Sequence, residues 1–316
     1  MNLRSFYAQK VTPVLRRIPC GERLNKAMVA FFADLQEPSA FWQPYQTAVN
    51  NTVFSLREVD TMFRGLSPES IALAKRFMMR QLLLPKDGFF IHPGRFYIPE
   101  EHEEYKKLLP EYRKVLKKFG FLEKEAGVES LYYHHGLRFA PDFVRANIEG
   151  RYFGDIGGWY GDSALVFAEY RPAKIIIFEP MAEQRRIMMR FFEKNSFPTE
   201  KYEICPFALS DKSELRDGMQ CRTLDEISAT YSTPFGVLKA DIEGMGLNLV
   251  KGAEQTIRRD RPLLSLSIYH NADEFAGIYQ LLKSWDIDYH FELKSFSPHV
   301  PWMELSLFGY PAEWIR

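Results

Sequence analysis

Residues 155–163 read Asp155-Ile156-Gly157-Gly158-Trp159-Tyr160-Gly161-Asp162-Ser163. An apolar run ends in an acid, three glycines follow, and Ala164-Leu165-Val166-Phe167-Ala168 continues with a helical pattern. The stretch reads as a strand, a tight turn and a helix start. Glycine lets the backbone take positive φ and lets a ligand come close. A helix start adds free N–H groups and a partial positive charge. In an open α/β sheet, ligands bind outside the carboxyl ends of such strands.

A dinucleotide loop, G-x-G-x-x-G, needs glycine where Ile156 stands. The pattern D-x-G-x-x-x-G fits instead, with Asp155 directly before the turn. An acid there suits a cofactor with a cationic amino-acid end, such as S-adenosylmethionine, rather than a pyrophosphate. The plain alternative is a strand–turn–helix with no ligand. The next strand, Lys174-Ile175-Ile176-Ile177-Phe178, leads to Glu179-Pro180, and Glu179 lies 22 positions past Gly157. An acid about 20 residues beyond the loop is placed to accept hydrogen bonds from ribose hydroxyls. Glu179 thus argues for a nucleoside, and Asp155 for which one.

With 316 residues the chain is long for one domain, and 46% apolar content is enough for a full core. Residues 1–125 form a mainly helical region (a lid, acceptor platform or dimerisation surface), and residues 126–316 form an α/β cofactor-binding domain. Lys plus Arg and Asp plus Glu balance at 41 each, so no global charge draws the chain to nucleic acid. The 15% aromatic content is compatible with a sugar-stacking cleft. Cys20, Cys205 and Cys221 carry no zinc-type spacing and read as free thiols of a reducing compartment. No apolar run reaches the roughly 18 residues that span a membrane, and no signal-peptide core is visible. The expected location is cytoplasmic.

Residues 1–26 carry six basic residues against Glu22, interleaved with apolar ones. They read as a helix with a solvated basic face, with a membrane-surface segment as the alternative. Ser67-Pro68-Glu69 is a helix start with Ser67 as N-cap, and Lys86-Asp87-Gly88 a turn that closes the unit. A second helix is expected from Glu100 to a Gly120 C-cap, with Tyr105, Leu108, Leu109, Tyr112, Val115 and Leu116 on one face. Glu100–Glu104 with His102 is a solvated start rather than a metal site. Of the adjacent pair His134-His135, only one side chain can face a cleft from a strand, with His135 favoured.

From 151 onward strands and helices alternate, the pattern of a parallel sheet. Strands are predicted near 151–156, 174–179, 202–207, 236–241, 263–269, 288–294 and 303–309, and helices near 162–170, 181–195, 247–259 and 272–284. Asp155, Glu179, Asp241, Glu243 and His270 all fall at carboxyl ends of predicted strands, which brings them to one sheet edge. Lys239, in an otherwise apolar strand, is expected to pair with a cleft acid.

D-I-G-G-W-Y-G-D-S, F-E-P, P-F-A-L-S-D, C-R-T-L-D-E, L-K-A-D-I-E-G-x-G-x-x-L-V-x-G-A and P-L-L-S-L-S-I-Y-H follow one another in the order of the FkbM family of S-adenosylmethionine-dependent methyltransferases. The resemblance spans roughly residues 130–310. It implies the class I methyltransferase (Rossmann-like) fold: a seven-stranded, mainly parallel sheet with the last strand antiparallel. It also implies methylation of hydroxyl groups, often on sugars. Asp155, Gly157, Gly161 and Ser163 would hold the methionine part, Glu179 the ribose, and Ala208 and Leu209 would flank adenine. Gly158, Asp162 and Pro180 complete the implied cofactor set, and Asp241 would sit beside the sulfonium and the acceptor. Two positions depart from the family pattern: Trp159 replaces a middle glycine, and Gly246 a second Glu after D-x-E-G.

A sugar hydroxyl is a poor nucleophile, so a base is expected, worth roughly 10²–10⁴ in rate. His270 is the first candidate because its ordinary pKa lies near neutral, then Asp241 or Glu243. A divalent ion on Asp241, Glu243 and His270 is the alternative. The expected function is methyl transfer to a hydroxyl of a saccharide or sugar-containing metabolite, with a glycan or small-molecule acceptor. No nucleic acid and no transmembrane segment are expected, and a homo-oligomer is compatible with the sequence. The competing readings are an NAD-dependent nucleotide-sugar oxidoreductase and a non-catalytic S-adenosylmethionine- or glycan-binding module.

Overall fold

The computed structural model describes residues 56–83, 98–216 and 218–315. The basic segment 1–26, Cys20, Lys86-Asp87-Gly88 and most of 89–98 lie outside the described residues. In chain order come α1 (Leu56–Met62), α2 (Pro68–Leu83), α3 (Pro99–Phe119), α4 (Val128–Leu131) and α5 (Asp142–Ile148). Then follow β1 (Tyr152–Ile156), α6 (Asp162–Phe167), β2 (Lys174–Phe178), α7 (Ala182–Lys194), β3 (Tyr202–Cys205), β4 (Ala208–Leu209), β5 (Glu214–Arg216), β6 (Met219–Arg222) and α8 (Leu224–Ser228). β7 (Phe235–Ala240), α9 (Gly246–Lys251), α10 (Glu254–Asp260), β8 (Leu263–Ser267), α11 (Ala272–Ser284), β9 (Tyr289–Lys294) and β10 (Ser306–Pro311) complete the set.

Seven strands form one sheet in the order β3-β2-β1-β7-β8-β10-β9. The first five are mutually parallel, and β10 runs antiparallel to both β8 and β9. This is the class I methyltransferase arrangement that the motifs imply. β1, β2, β7 and β8 are almost wholly buried apolar runs, as strands covered on both faces must be. The strand order reverses at β1, flanked by β2 and β7, and there the carboxyl ends splay into a crevice.

The helices before β1 are part of this core. Val59, Phe63, Phe77 and Met78 join one face of the sheet, where Phe63 packs edge-on against Phe275 at 5.2 Å. Leu108, Tyr112, Leu116 and Phe119 of α3 join the other. Ser67 caps α2 by accepting from the Ser70 N–H at 3.2 Å, and Gly120 ends α3 in the left-handed region, both as expected. Among the described residues no helix is long and apolar enough to cross a membrane. Cys205 and Cys221 are buried and free.

The structure departs from the expected elements in three places. The third strand stops at Cys205, because Pro206 has no N–H to continue the ladder. The chain then enters a small sheet, β4-β6-β5, too short for periodicity to reveal. The helix expected at 247–259 is two, broken at Gly252-Ala253, where a Cβ on Gly252 would strike the Ser210 carbonyl. His134 and His135 lie in a 3-10 segment rather than a strand, and both have positive φ.

Candidate active site

The carboxyl ends of β1, β2 and β7 open onto a cavity of about 570 Å³, within the usual range for small-molecule sites. Gly157 begins its floor with φ 78°. Its N–H donates to the Phe178 carbonyl at 2.9 Å, and a Cβ there would collide with the Asp241 carbonyl. The loop is thereby stitched to both neighbouring strands. Trp159 also sits in the left-handed region, with φ 45°, a conformation that costs a non-glycine residue about 1–2 kcal/mol. It is held there by its N–H, which donates to Glu179 Oε2 at 3.0 Å, and by stacking on Tyr160 at 4.5 Å. The other Glu179 oxygen accepts from the Met181 N–H at 2.9 Å. Each carboxylate oxygen keeps an open lone pair, and Glu179 lines the cavity.

Asp155 does not reach that cavity. It is fully buried and pairs with Lys239, its direct neighbour across β1 and β7, at 3.0 Å. The expectation that Asp155 contacts the cofactor is corrected accordingly: its charge holds an internal lysine. Lys239 in turn donates to the Gly157 carbonyl at 2.7 Å and forms part of the cavity wall. Burial disfavours its charge, but Asp155, Asp241 and Asp162 outweigh this and raise its pKa. Gly158 and Gly161 likewise face inward, against Ile177 and Phe192, and serve packing. The loop acid on the cavity wall is Asp162, pushed up to about 6 by burial against the opposing effects of Ser130 and Lys239. Ser163, Pro180, Ala208 and Leu209 line the cavity.

At the β7 edge, Asp241 lines the cavity with its side chain 28% exposed. Tyr269 donates its hydroxyl to both Asp241 oxygens at 3.1 Å. His270 Nε2 lies 2.9 Å from Asp241 Oδ1, and His270 Nδ1 lies 2.9 Å from Glu274 Oε2. Burial disfavours the charged ring, but the two carboxylates overcome it and raise His270 to about 10. Burial would raise Asp241, yet the His270 hydrogen bond and charge, with Lys239, hold it well below the usual carboxylate range. His270 is therefore a buried imidazolium with both ring nitrogens engaged and no place on the cavity wall. That contradicts the expectation of His270 as the base and matches a strand-end histidine hydrogen-bonded in the core. Glu243, exposed at the cavity wall with φ 53°, is pushed up to about 7 by desolvation and by Asp241 and Glu274, against His270. Among the described residues no three His, Cys, Asp or Glu side chains are grouped to hold a metal ion.

His135 does reach the cavity, with Nε2 2.8 Å from Ser163 Oγ, while His134 turns to the Tyr170 hydroxyl at 2.7 Å. Sequence reasoning missed a further part of the wall, Glu123 to Gly127 between α3 and α4 with Glu129 and Ser130 of α4, and it missed Tyr269 and Glu274 beside Asp241 and His270. A signal for Glu274 existed: Asn271-x-x-Glu274 has the form of a capping box. It suggests only a helix cap, and Asn271 Oδ1 does accept from the Glu274 N–H at 2.8 Å.

Residues 191–291 match the methyltransferase FkbM domain. That stretch contains Asp241, Glu243, His270 and Glu274 but neither the glycine loop nor Glu179. The solved structure of methyltransferase FkbM from Methylobacillus flagellatus KT is 16% identical, with a TM-score of 0.57 over 84% of this chain and 60% of that one. This chain thus spans about 60% of the length of that relative. An O-methyltransferase from Bacillus cereus in complex with SAH is 11% identical, with a TM-score of 0.47 over 69% of this chain and 99% of that one. The O-methyltransferase TomG from Streptomyces achromogenes in complex with SAM is 10% identical, with a TM-score of 0.45 over 70% and 100%. No curated protein matches the chain by sequence.

Proposed function

We propose, from the match of residues 191–291 to the methyltransferase FkbM domain and from the cavity that stretch helps to line, that this protein transfers a methyl group from S-adenosylmethionine to a hydroxyl of a saccharide or sugar-containing metabolite. The observation that carries the proposal is the meeting of Gly157, Glu179 and Asp241, from the ends of β1, β2 and β7, with Ala208-Leu209 of β4 around one cavity. Bound there, the cofactor supplies an electrophilic methyl group on a cationic sulfur. Glu179 has the open lone pairs to accept two ribose hydroxyls. The backbone at Gly157 permits close approach. Asp241, kept ionised by His270, sets a fixed negative charge in the wall.

Glu243 takes the role of base. It lines the cavity, and a carboxyl pushed up to about 7 suits proton removal near neutral pH. The acceptor hydroxyl would give its proton to Glu243 as its oxygen takes the methyl. Holding the two reactants in line is the larger contribution, about 7–11 kcal/mol in well-aligned systems. Glu125, Glu129 and Ser130 offer acceptors for further hydroxyls across the cavity. Of these only Glu125 precedes residue 126, so the acceptor side of the cavity would be shared between the end of the helical region and the start of the domain that follows. The test is incubation with methyl-labelled S-adenosylmethionine and a panel of hydroxylated saccharides. Label transfer with release of S-adenosylhomocysteine is the expected result; cofactor binding without transfer to any of them would sink the acceptor class.

A further inference from the structure

Glu274 is 1% exposed, and a carboxylate so placed is costly unless it is paired. All its partners lie at the β7–β8 edge. Oε1 accepts from the Gly246 N–H at 2.7 Å, and Oε2 accepts from the His270 backbone N–H at 3.3 Å and meets His270 Nδ1 at 2.9 Å. A Cβ on Gly246 would crowd Oε1 at 2.8 Å, so the absence of a side chain at 246 is what admits the carboxylate. Asn271 caps α11 and also donates to the Gly244 carbonyl at 3.0 Å, which ties the first turn of α11 to the loop after Asp241. The result is a continuous line from Glu274 through His270 to Asp241 and the cavity.

Two ionised carboxylates are acceptors only, so a ring between them must donate from both nitrogens. We propose that Glu274 is a positioning residue that fixes His270 as the doubly donating ring and, through it, fixes the ionised Asp241 carboxylate in the cavity wall. The effect on turnover rests on the methyltransferase reading; the effect on His270 does not. The charged and titratable groups facing His270 are Asp241 from the β7 end, Glu274 from α11, Glu243 from the intervening loop and Tyr269, whose ring centroid lies 4.1 Å from that of the imidazole, while Lys239 acts on Asp241. Removing Glu274 leaves one carboxylate on the ring, and the second proton becomes easier to lose.

The experiment is NMR titration of the His270 ring nitrogens in the full chain, wild type against Glu274→Gln and Glu274→Asp, with calorimetric S-adenosylmethionine binding at pH 6 and pH 8.5. In wild type the ring should remain an imidazolium past pH 8.5. In Glu274→Gln it should titrate about two and a half pH units lower, with cofactor affinity down about tenfold at pH 8.5 and largely restored at pH 6, where the ring is charged in either protein. Glu274→Asp, which keeps the charge, should recover most of the difference. If Glu274→Gln does not fold, Gly246→Ala displaces the same carboxylate and should lower the ring's titration in the same direction. A wild-type ring titrating near pH 6.5, or one unmoved by these variants, overturns the proposal. Wild-type protein that binds no cofactor overturns the methyltransferase reading and leaves the ring titration to judge Glu274.

Discussion

The two halves of the cavity are built differently. On the β1–β2 side the work falls to backbone: Gly157 stitched to Phe178, and Glu179 held by the N–H groups of Trp159 and Met181. On the β7–β8 side it falls to charged side chains: Lys239 of β7, paired across the sheet with Asp155 of β1, and Asp241 in series with His270 and Glu274. A backbone-built half depends on local conformation and fails when a Cβ is added. A charge-built half depends on pairing, so it should fail when one partner is removed and recover when both are.

The largest effect should come from Lys239→Met, which strands Asp155 in a fully buried site. Loss of one buried ion-pair partner costs about 3–5 kcal/mol, readable in urea unfolding, and the double variant with Asp155→Leu should regain most of it. A single variant costing under about 1 kcal/mol would show that the pair is dispensable. Gly157→Ala should follow, with cofactor affinity down about a hundredfold, some 2.7 kcal/mol, because the loop must leave the Asp241 carbonyl. Unchanged affinity would break the contrast on the backbone side. Glu179→Gln should weaken the cofactor roughly tenfold, the scale of a hydrogen bond to a charged group, with little change in stability.

The charged half should also respond to pH. His270 has a folded pKa raised to about 10. Its stabilising contribution is full below its unfolded value of about 6.5 and is lost as pH rises through about 10. The stability gap between wild type and His270→Asn should therefore be widest near pH 6 and close toward pH 10. A gap that widens with pH would reverse the assigned protonation. The smallest effect is expected at Trp159. Trp159→Gly removes a left-handed cost of about 1–2 kcal/mol but adds unfolded-chain freedom of similar size, for a net change under about 1 kcal/mol.

The same contrast governs what the sequence makes legible. The parallel sheet, its seven strands and the position of Glu179 follow from contiguous runs and a fixed spacing, because backbone partners are set locally. The sequence shows Asp155 as an acid in a strand next to the loop but not the direction of its side chain. Nothing along the chain says that Lys239 will lie beside it, since that pairing depends on the β1–β7 register. His270 was placed at the right edge. Its role as base failed because its second carboxylate, Glu274, looks in sequence like a helix cap. The wall from Glu123 to Ser130 stayed hidden because neither that loop nor the one-turn helix α4 after it carries a motif, and the stretch gains meaning only as cavity lining.

Calorimetric titration of the purified chain with S-adenosylmethionine, S-adenosylhomocysteine and NAD tests the cofactor assignment most directly. Micromolar binding of the first two, about −8 kcal/mol, with no NAD binding and a loss in Gly157→Ala, is the expected result. Binding of NAD alone, or of none of the three, would contradict the reading of the glycine loop on which the proposed chemistry stands.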